Sequence, residues 1–364
     1  MMKKQEKVLV GMSGGVDSSV TVALLLEAGY QVRGITLIPW HASALGFTAT
    51  GTPDETVKSA KKVADQLGID LDVVEVKEEF YEKVVGYFVS GYREGKTPNP
   101  CYVCNRVFKW VEFLRHADTI GYDYVSTGHY ARLEKKKDGR MRLFQAEDPA
   151  KDQSYVLSCL DQQVLQRILL PLGEYKKSKV REMALSMKIA SAGKSDSQDL
   201  CFVRNEDHKA LVRQLLGSTS SRNGDIVRVT GEIIGTHNGL ENYTYGQRKG
   251  IRIAAVEPYY VIGKNLALNQ LIVGQKLSGN KSGLLTSDVH WISGFAPAEW
   301  FLADVQIRYH AKAAPAIIKL FDDGKAEIEF SENVIGITPG QFAVIYQGSE
   351  VLGAAEILKE IDKR

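Results

Sequence analysis

Cysteine is scarce in this chain: four residues in 364, at positions 101, 104, 159 and 201. Four unevenly spaced cysteines make no disulfide framework for a chain of this length. A reducing compartment is expected instead, where a C-x-x-C is more often chemical than structural. Neither sign of charge dominates, since 46 Lys and Arg against 44 Asp and Glu leave a formal net charge of +2. A polyanionic partner would therefore have to meet local basic patches rather than a general positive field. Long apolar runs are missing too. The opening MMKKQEKVLVGM holds nothing resembling a signal peptide, and apolar stretches elsewhere are only strand-sized, so a cytoplasmic protein with no membrane partner is expected. No internal repeat or low-complexity block stands out. What is present is ordinary globular material, 44% hydrophobic and 25% charged, long enough for two or three separate cores.

The first third alternates two periodicities. Val8 to Met12 is an apolar run ending in SGGVDS, and Ser18 to Ala28 then places apolar residues at helical spacing until Gly29 closes it. Gln31 to Ile38 and Leu71 to Val76 read as strands, and Asp54 to Leu67 and Glu78 to Tyr92 as helices. This alternation predicts an α/β domain with a doubly wound parallel sheet, in which ligands sit beyond the carboxyl ends of the strands. The Gly-, Thr-, Ala- and Ser-rich segment between Pro39 and Pro53 is long for a connection and is read as a mobile lid or simple disorder. Further on, Val103, Val107, Trp110, Val111 and Leu114 mark a helix, STGHY at 126–130 ends a strand, KKKDGR at 135–140 makes a hairpin tip, and Val156 to Met187 reads as helical. Beyond about Arg204 the runs become short and β-branched, and turn signals recur in NGD, TGE, HNG and DDG. The expected division is an α/β domain over 1–205, a small middle domain over 206–280, and a C-terminal β-barrel domain over 281–364, with GQKLSGNKSG as linker.

The loop after the first strand carries chemistry. In SGGVDSS the glycines let backbone N–H groups approach a phosphate, Ser13, Ser18 and Ser19 add hydroxyls, and the dipole of the following helix favours an anion. It is neither a Walker A loop, which needs Gly-Lys-Ser/Thr, nor G-x-G-x-x-G. Asp17 is unexpected beside a polyphosphate unless a Mg²⁺ ion intervenes, so it argues for a metal-bound nucleotide. The plainer alternative is a tight strand-to-helix turn with a serine cap. The loop resembles that of the ATP pyrophosphatases, which cleave ATP between the α and β phosphates and attach AMP to a substrate oxygen.

The cysteines leave three readings open: a metal site, a redox pair or a single nucleophile. Asn99 and Pro100 form a helix start, cap then proline, which puts Cys101 and Cys104 in the first turn and on one face. A helix N-terminus with Arg106 and Lys109 nearby is expected to lower a thiol pKa. Cys201 follows a polar lead, Ser195 to Asp199, into a β-like end, whereas Cys159 inside YVLSCL reads as a buried small apolar residue. Zinc is disfavoured because no second ligand pair follows. Three thiolates, Cys101, Cys104 and Cys201, could instead hold a [4Fe-4S] cluster with one open iron.

Seven motifs, GMSGGVDSS, TPNPCxxCN, STGHYAR, KDQSYVL, KSDSQDLCF, YTYGQRKGI and PGQFAV, occur in the order seen in the bacterial tRNA-specific 2-thiouridylases, and the resemblance runs from about Lys7 to Leu358. It implies that Gly11, Met12, Ser13, Gly14, Gly15, Val16, Asp17 and Ser18, with Leu37 and Gly128, bind ATP. It implies adenylation of the wobble uridine (position 34) of tRNA at its 2-oxygen, then sulfur transfer from a persulfide on Cys201. Cys104 matches the nucleophile that helps release the sulfur or forms a disulfide with Cys201. Asn99, Pro100 and Cys101 match positions at the target base, and His129, Lys151, Asp152, Gln153, Arg308, Tyr309 and Gln341 match tRNA-contacting positions. A sulfur-donor protein, a cysteine desulfurase or a relay carrier, is the implied second partner. Some members carry Asp where this chain has Cys101, so a general base at 101 is in doubt, and the segment after Trp40 lacks cysteines that many members have there. Other enzymes with the same loop, adenylating ligases and amidotransferases, do not need the two cysteines.

Basic clusters at Lys176, Lys177, Lys179 and Arg181, at Arg248, Lys249 and Arg252, and at Arg308 to Lys312 fit phosphate contacts, although a solvated face is the plainer account of any one of them. Tyr243, Tyr245 and Tyr309 among them could stack on bases.

Overall fold

The structure, a computed structural model, describes residues 5–47, 52–193, 200–203, 208–217, 222–275 and 280–362. The first domain is built on β1 (Lys7–Gly11), α1 (Val16–Glu27), β2 (Gln31–Ile38), α2 (Pro53–Leu67), β3 (Leu71–Glu75) and β4 (Tyr124–Ser126). The strands lie parallel in the order β3-β2-β1-β4, with Ile168–Leu169 beside β4. Both faces of β1 are covered, which is why Val8, Leu9 and Val10 are all fully buried rather than alternating in and out. Local signals set the helix ends: Thr52 and Glu55 form a reciprocal capping box, Pro53 takes the first position, and Gly68 closes α2 at φ 67°. The chain winds from β1 to β2 on one side and returns to β4 on the other. A crevice therefore opens at the carboxyl ends of β1 and β4, the place where such sheets hold ligands.

One expected element is different. Between Val156 and Met187 the chain is not a continuous helix but two short helices, Ser154–Leu157 and Gln162–Leu165, the strand Ile168–Leu169, a short 3₁₀ turn, and the helix Lys177–Ser186. The apolar spacing that suggests one helix serves several packing faces: Val156, Leu157, Leu165 and Ile168 enter one core, Leu172, Val180 and Ala184 another.

The middle domain is a four-stranded sheet over 224–274. The C-terminal strands form a closed antiparallel barrel, because Asn280–Asp288 pairs with both Lys325–Ile335 and Glu350–Ile361. The hairpin of the first domain, Arg132–Lys135 with Met141–Phe144, extends that sheet through Glu350↔Phe144 and Val351↔Leu143. Tyr102, Trp110 and Tyr155 of the first domain then share a core with Phe342, Val344 and Tyr346 of the barrel. The barrel is thereby fixed against the segment that carries Cys101 and Cys104.

Candidate active site

The loop after β1 is shaped for an anion. Gly15 caps α1 with no side-chain hydrogen bond, so the first-turn N–H groups of a 12-residue helix keep their donors free of any capping side chain. Gly14 takes φ 67°, and a Cβ there would meet Ser59 Cβ at 2.4 Å and Ala60 N at 2.6 Å. The loop is clamped to β2: Met12 N donates to Ile35 O at 2.8 Å, and Thr36 Oγ1 donates to Met12 O at 2.8 Å. Leu37 is the next residue along β2 and is half-buried. Gly128 closes the other side, where a Cβ would lie 2.9 Å from Asp17 and Ser18 N. Of the three hydroxyls expected to face a phosphate, only that of Ser13 belongs to an exposed residue. Ser18 and Ser19 are buried and donate to Gly15 O, and Ser19 Oγ also meets Ser191 Oγ at 3.1 Å.

Asp17 has a cation of its own. Lys177 Nζ donates to its two carboxylate oxygens at 2.6 and 2.8 Å, and the Tyr130 hydroxyl donates to Oδ1 at 2.6 Å. The inference from Asp17 to a bound Mg²⁺ therefore loses its premise, and Lys177, buried and committed to this pair, leaves the set of surface phosphate contacts. Lys179 is paired with Glu182 at 3.0 Å.

The helix Pro100–Cys104 starts as its sequence dictates, with the Asn99 side chain accepting from Tyr102 N at 3.0 Å and proline in the first turn. Asn105, a buried residue that sequence reading passed over, braces the turn that follows: its Nδ2 donates to Cys101 O, and its Oδ1 accepts from Trp110 Nε1, both at 3.0 Å. Over Asn105–Lys109 the helix widens to a π-turn, a feature frequent at functional sites. Tyr102 stacks on Phe342 with ring centres 3.5 Å apart, Thr97 N donates to Pro339 O at 2.9 Å, and Gln341 Nε2 donates to Thr97 O at 2.8 Å. Buried Gln341 thus holds the TPNP segment and has its amide already committed. Gln341→Ala would leave the Thr97 carbonyl without this donor, and a loss of roughly 1–3 kcal/mol in urea unfolding is expected.

The fold brings the three thiols together. Cys101 and Cys201 are exposed, Cys104 is buried among aromatic residues that include Phe80, Phe88, Phe108 and Phe202, and each charge on Cys101 or Cys104 would raise the pKa of Cys201. Ala42 N, on the segment after β2, donates to Phe202 O at 2.9 Å and holds the Cys201 turn in place. The polar lead of residues 195–199 lies outside the described residues.

The expected lowering of thiol pKa is reversed. Although water reaches Cys101 and Cys201, the protein packed around their sulfurs disfavours the thiolate more than Lys109 favours it, and Cys101 is pushed up to about 11. Burial likewise raises Cys104 and Cys201, against the weaker pull of Lys109. The thiols of the free protein are therefore protonated at neutral pH. Alkylation of Cys101 and Cys201 by iodoacetamide should accelerate about tenfold per pH unit from pH 7 to 9 without levelling; a plateau near pH 8 would contradict this. Cys159 is buried, its Sγ donating to Val156 O at 3.4 Å, as a small apolar residue would sit.

Lys109 links the thiols to the nucleotide loop. Its charge acts on Cys101, Cys104 and Cys201 and also on His129, the residue after Gly128. Burial holds His129 well below the usual histidine range, so it is neutral, with Nδ1 2.6 Å from Thr127 Oγ1 and its ring 5.8 Å from that of Trp110. Tyr309, from the barrel, reaches the same place: a thiolate at Cys101 would act on it, it hydrogen-bonds Gln153, and its ring lies 5.8 Å from that of Tyr155. Asp152 accepts from Ala146 N, Ser154 N and Ser154 Oγ, and Gln153 accepts from Tyr130 N at 3.0 Å, so both brace the loop beside half-buried Lys151. Arg308 donates to Thr338 Oγ1 at 2.6 Å and to Tyr245 O at 3.3 Å. Tyr243 belongs to the core of the middle domain and is too buried to stack on a base; Tyr245 and Tyr309 are only partly covered.

Among the described residues no three His, Cys, Asp or Glu are placed to hold a metal ion. As arranged, Cys101, Cys104 and Cys201 do not fit an iron–sulfur ligand set. No described helix is long and apolar enough to cross a membrane.

Residues 6–205 match the family model of a tRNA methyl transferase HUP domain, residues 212–275 that of a tRNA methyl transferase PRC-barrel domain, and residues 281–357 that of an aminomethyltransferase beta-barrel domain. The protein named tRNA-specific 2-thiouridylase MnmA from Carboxydothermus hydrogenoformans is 42% identical, with 98% of this chain and 99% of that one covered. Its namesakes from Chloroflexus aurantiacus and Syntrophotalea carbinolica are also 42% identical, covering 97% and 98% of this chain and 98% and 100% of theirs. With all three domains matched in order and the likeness running almost from end to end, this chain belongs to the tRNA-specific 2-thiouridylase family.

Proposed function

We propose that this protein is a tRNA-uridine 2-sulfurtransferase that uses ATP to replace the 2-oxygen of the wobble uridine (position 34) with sulfur. The observation that carries the reading is the pairing of an uncapped glycine loop at the sheet's crevice with a cluster of thiols on the same side, linked through Gly128, His129 and Lys109. Adenylating enzymes that transfer an amine have no use for that second half. ATP, when bound, would supply the adenylyl group that turns the uracil 2-oxygen into a leaving group, and pyrophosphate would depart from the loop Gly11–Ser18. Mg²⁺ then comes as the nucleotide's counter-ion, since Asp17 is already neutralised by Lys177.

The residues divide the remaining work. Cys201, exposed on its turn, receives a sulfane sulfur from a donor protein and holds it as a persulfide. The Cys104 thiolate attacks the inner sulfur of that persulfide: a Cys104–Cys201 disulfide forms, the S–S bond to the outer sulfur breaks, and hydrosulfide leaves with the electron pair. Hydrosulfide adds at C2 of the activated uracil and AMP departs with the 2-oxygen. An external thiol then reduces the disulfide. Because both thiols rest protonated, Cys104 must lose its proton when the site is filled, and Lys109 is the cation placed to favour that. Cys101, exposed on the helix that Asn99 and Pro100 start, faces the base, which has to be unstacked to enter. In this reading His129, Tyr309, Arg308 and Lys151 serve as tRNA contacts, Asp152 and Gln153 hold the loop that carries Lys151, and Gln341 acts by holding the TPNP segment. The substrate places the enzyme in the cytoplasm. Release of AMP and pyrophosphate from ATP, followed with and without tRNA, tests the reading. Strictly tRNA-dependent release is expected, and equal release in its absence would contradict it.

A further inference from the structure

Asp17 lies in the first turn of α1, where an incoming polyphosphate would settle, and a bare carboxylate there would repel it. The carboxylate is held by Lys177, which donates to both oxygens, and by the neutral hydroxyl of Tyr130. Of these two partners, the lysine is the one that can cancel the charge. Lys177 is 7% exposed, its ammonium also lies 5.8 Å from the centre of the Tyr130 ring, and its backbone N donates to Asp148 Oδ2 at 2.9 Å, so it is fixed from both ends. Gly128, packed on Asp17 and Ser18, completes the enclosure.

We propose that Lys177 is a positioning residue of the nucleotide loop: it neutralises Asp17 so that the polyphosphate of ATP can enter, and it fixes the first turn of α1. The inference rests on the loop being an ATP site. Lys177 is buried and the Asp17 side chain is 33% exposed, so removing the lysine leaves a carboxylate whose charge only partial contact with water relieves. Here that charge would stand next to a tetra-anionic ligand. If Asp17 instead served as a metal ligand, removing its charge should weaken nucleotide binding whether or not Lys177 is present.

Four proteins test the proposal: wild type, Lys177→Met, Asp17→Asn and the double variant. ATP affinity is measured by calorimetry without tRNA, and kcat and KM for tRNA-dependent AMP release are measured next. Lys177→Met should weaken ATP binding on the order of 10- to 100-fold. The loss should appear in KM for ATP, with kcat within about threefold of wild type. The double variant, which carries neither charge, should recover to within about fivefold of wild-type affinity. Wild-type affinity in Lys177→Met overturns the proposal, and so does a double variant as weak as the single one. Should Lys177→Met fail to fold, the double variant decides: near-wild-type affinity supports the pair's role, and a loss of about tenfold or more overturns it. A wild-type protein that binds no ATP would overturn the reading of the loop, and the proposal with it.

Discussion

Cys201→Ser should reduce formation of 2-thiouridine by at least about 1,000-fold, because a hydroxyl cannot carry a sulfane sulfur and no residual chemistry bypasses that step. ATP affinity and tRNA-dependent release of pyrophosphate in the first turnover should stay within about threefold of wild type, since the loop at the sheet's crevice and the Cys201 turn are separate pieces of chain. AMP, which departs only when hydrosulfide adds, should instead stay on the tRNA. Cys104→Ser should be equally inactive in turnover but different in what accumulates. Cys201 would keep its extra sulfur, visible in the mass of its peptide. A Cys201→Ser protein that thiolates at an appreciable rate would exclude the persulfide role. A Cys104→Ser protein with full turnover would exclude the resolving role and turn attention to Cys101, the other exposed thiol beside Cys201.

Gly128→Ala is expected to be nearly as damaging at the other end of the reaction. The position does not need unusual backbone angles; it needs the absence of a side chain. The added methyl would lie 2.9 Å from the carbonyl carbon and Cβ of Asp17 and from Ser18 N, and neither α1 nor the strand end can yield without moving the loop. Displacing the first-turn N–H groups by even a fraction of an ångström should cost ATP binding roughly 100-fold, as misplacement of positioning groups does elsewhere. Sulfur loading of Cys201 should be unaffected. Calorimetry with ATP measures the first effect, and peptide mass after exposure to a persulfide source the second. Unchanged ATP affinity would show that the nucleotide does not use this crevice.

Much of this arrangement is legible in local chemistry. Thr52, Pro53, Glu55 and Gly68 bound α2, and Asn99 and Pro100 start the cysteine helix, because caps and turns are written within four or five residues. The glycine loop is legible for the same reason. Other features depend on residues far apart in the chain. Lys177 meets Asp17 across 160 positions, and from the sequence it is indistinguishable from its neighbours in a basic run. The strand Ile168–Leu169 is two residues long and exists because β4 has a free edge to pair with; its periodicity carries no signal. The thiols show the same limit in electrostatic form. Helix start and nearby cations are visible in sequence, but the packing around each sulfur is tertiary, and it outweighs Lys109. Tyr243 lies close in sequence to basic residues yet faces the core of its own sheet.

The most direct measurement is mass spectrometry of the wobble nucleosides of tRNA incubated with this protein, ATP, Mg²⁺ and a persulfide source. The account requires 2-thiouridine to appear at position 34 when all components are present and to vanish when ATP is omitted or Cys201 is replaced by serine. Unmodified uridine in the complete reaction, or thiolation that proceeds without ATP, would contradict it.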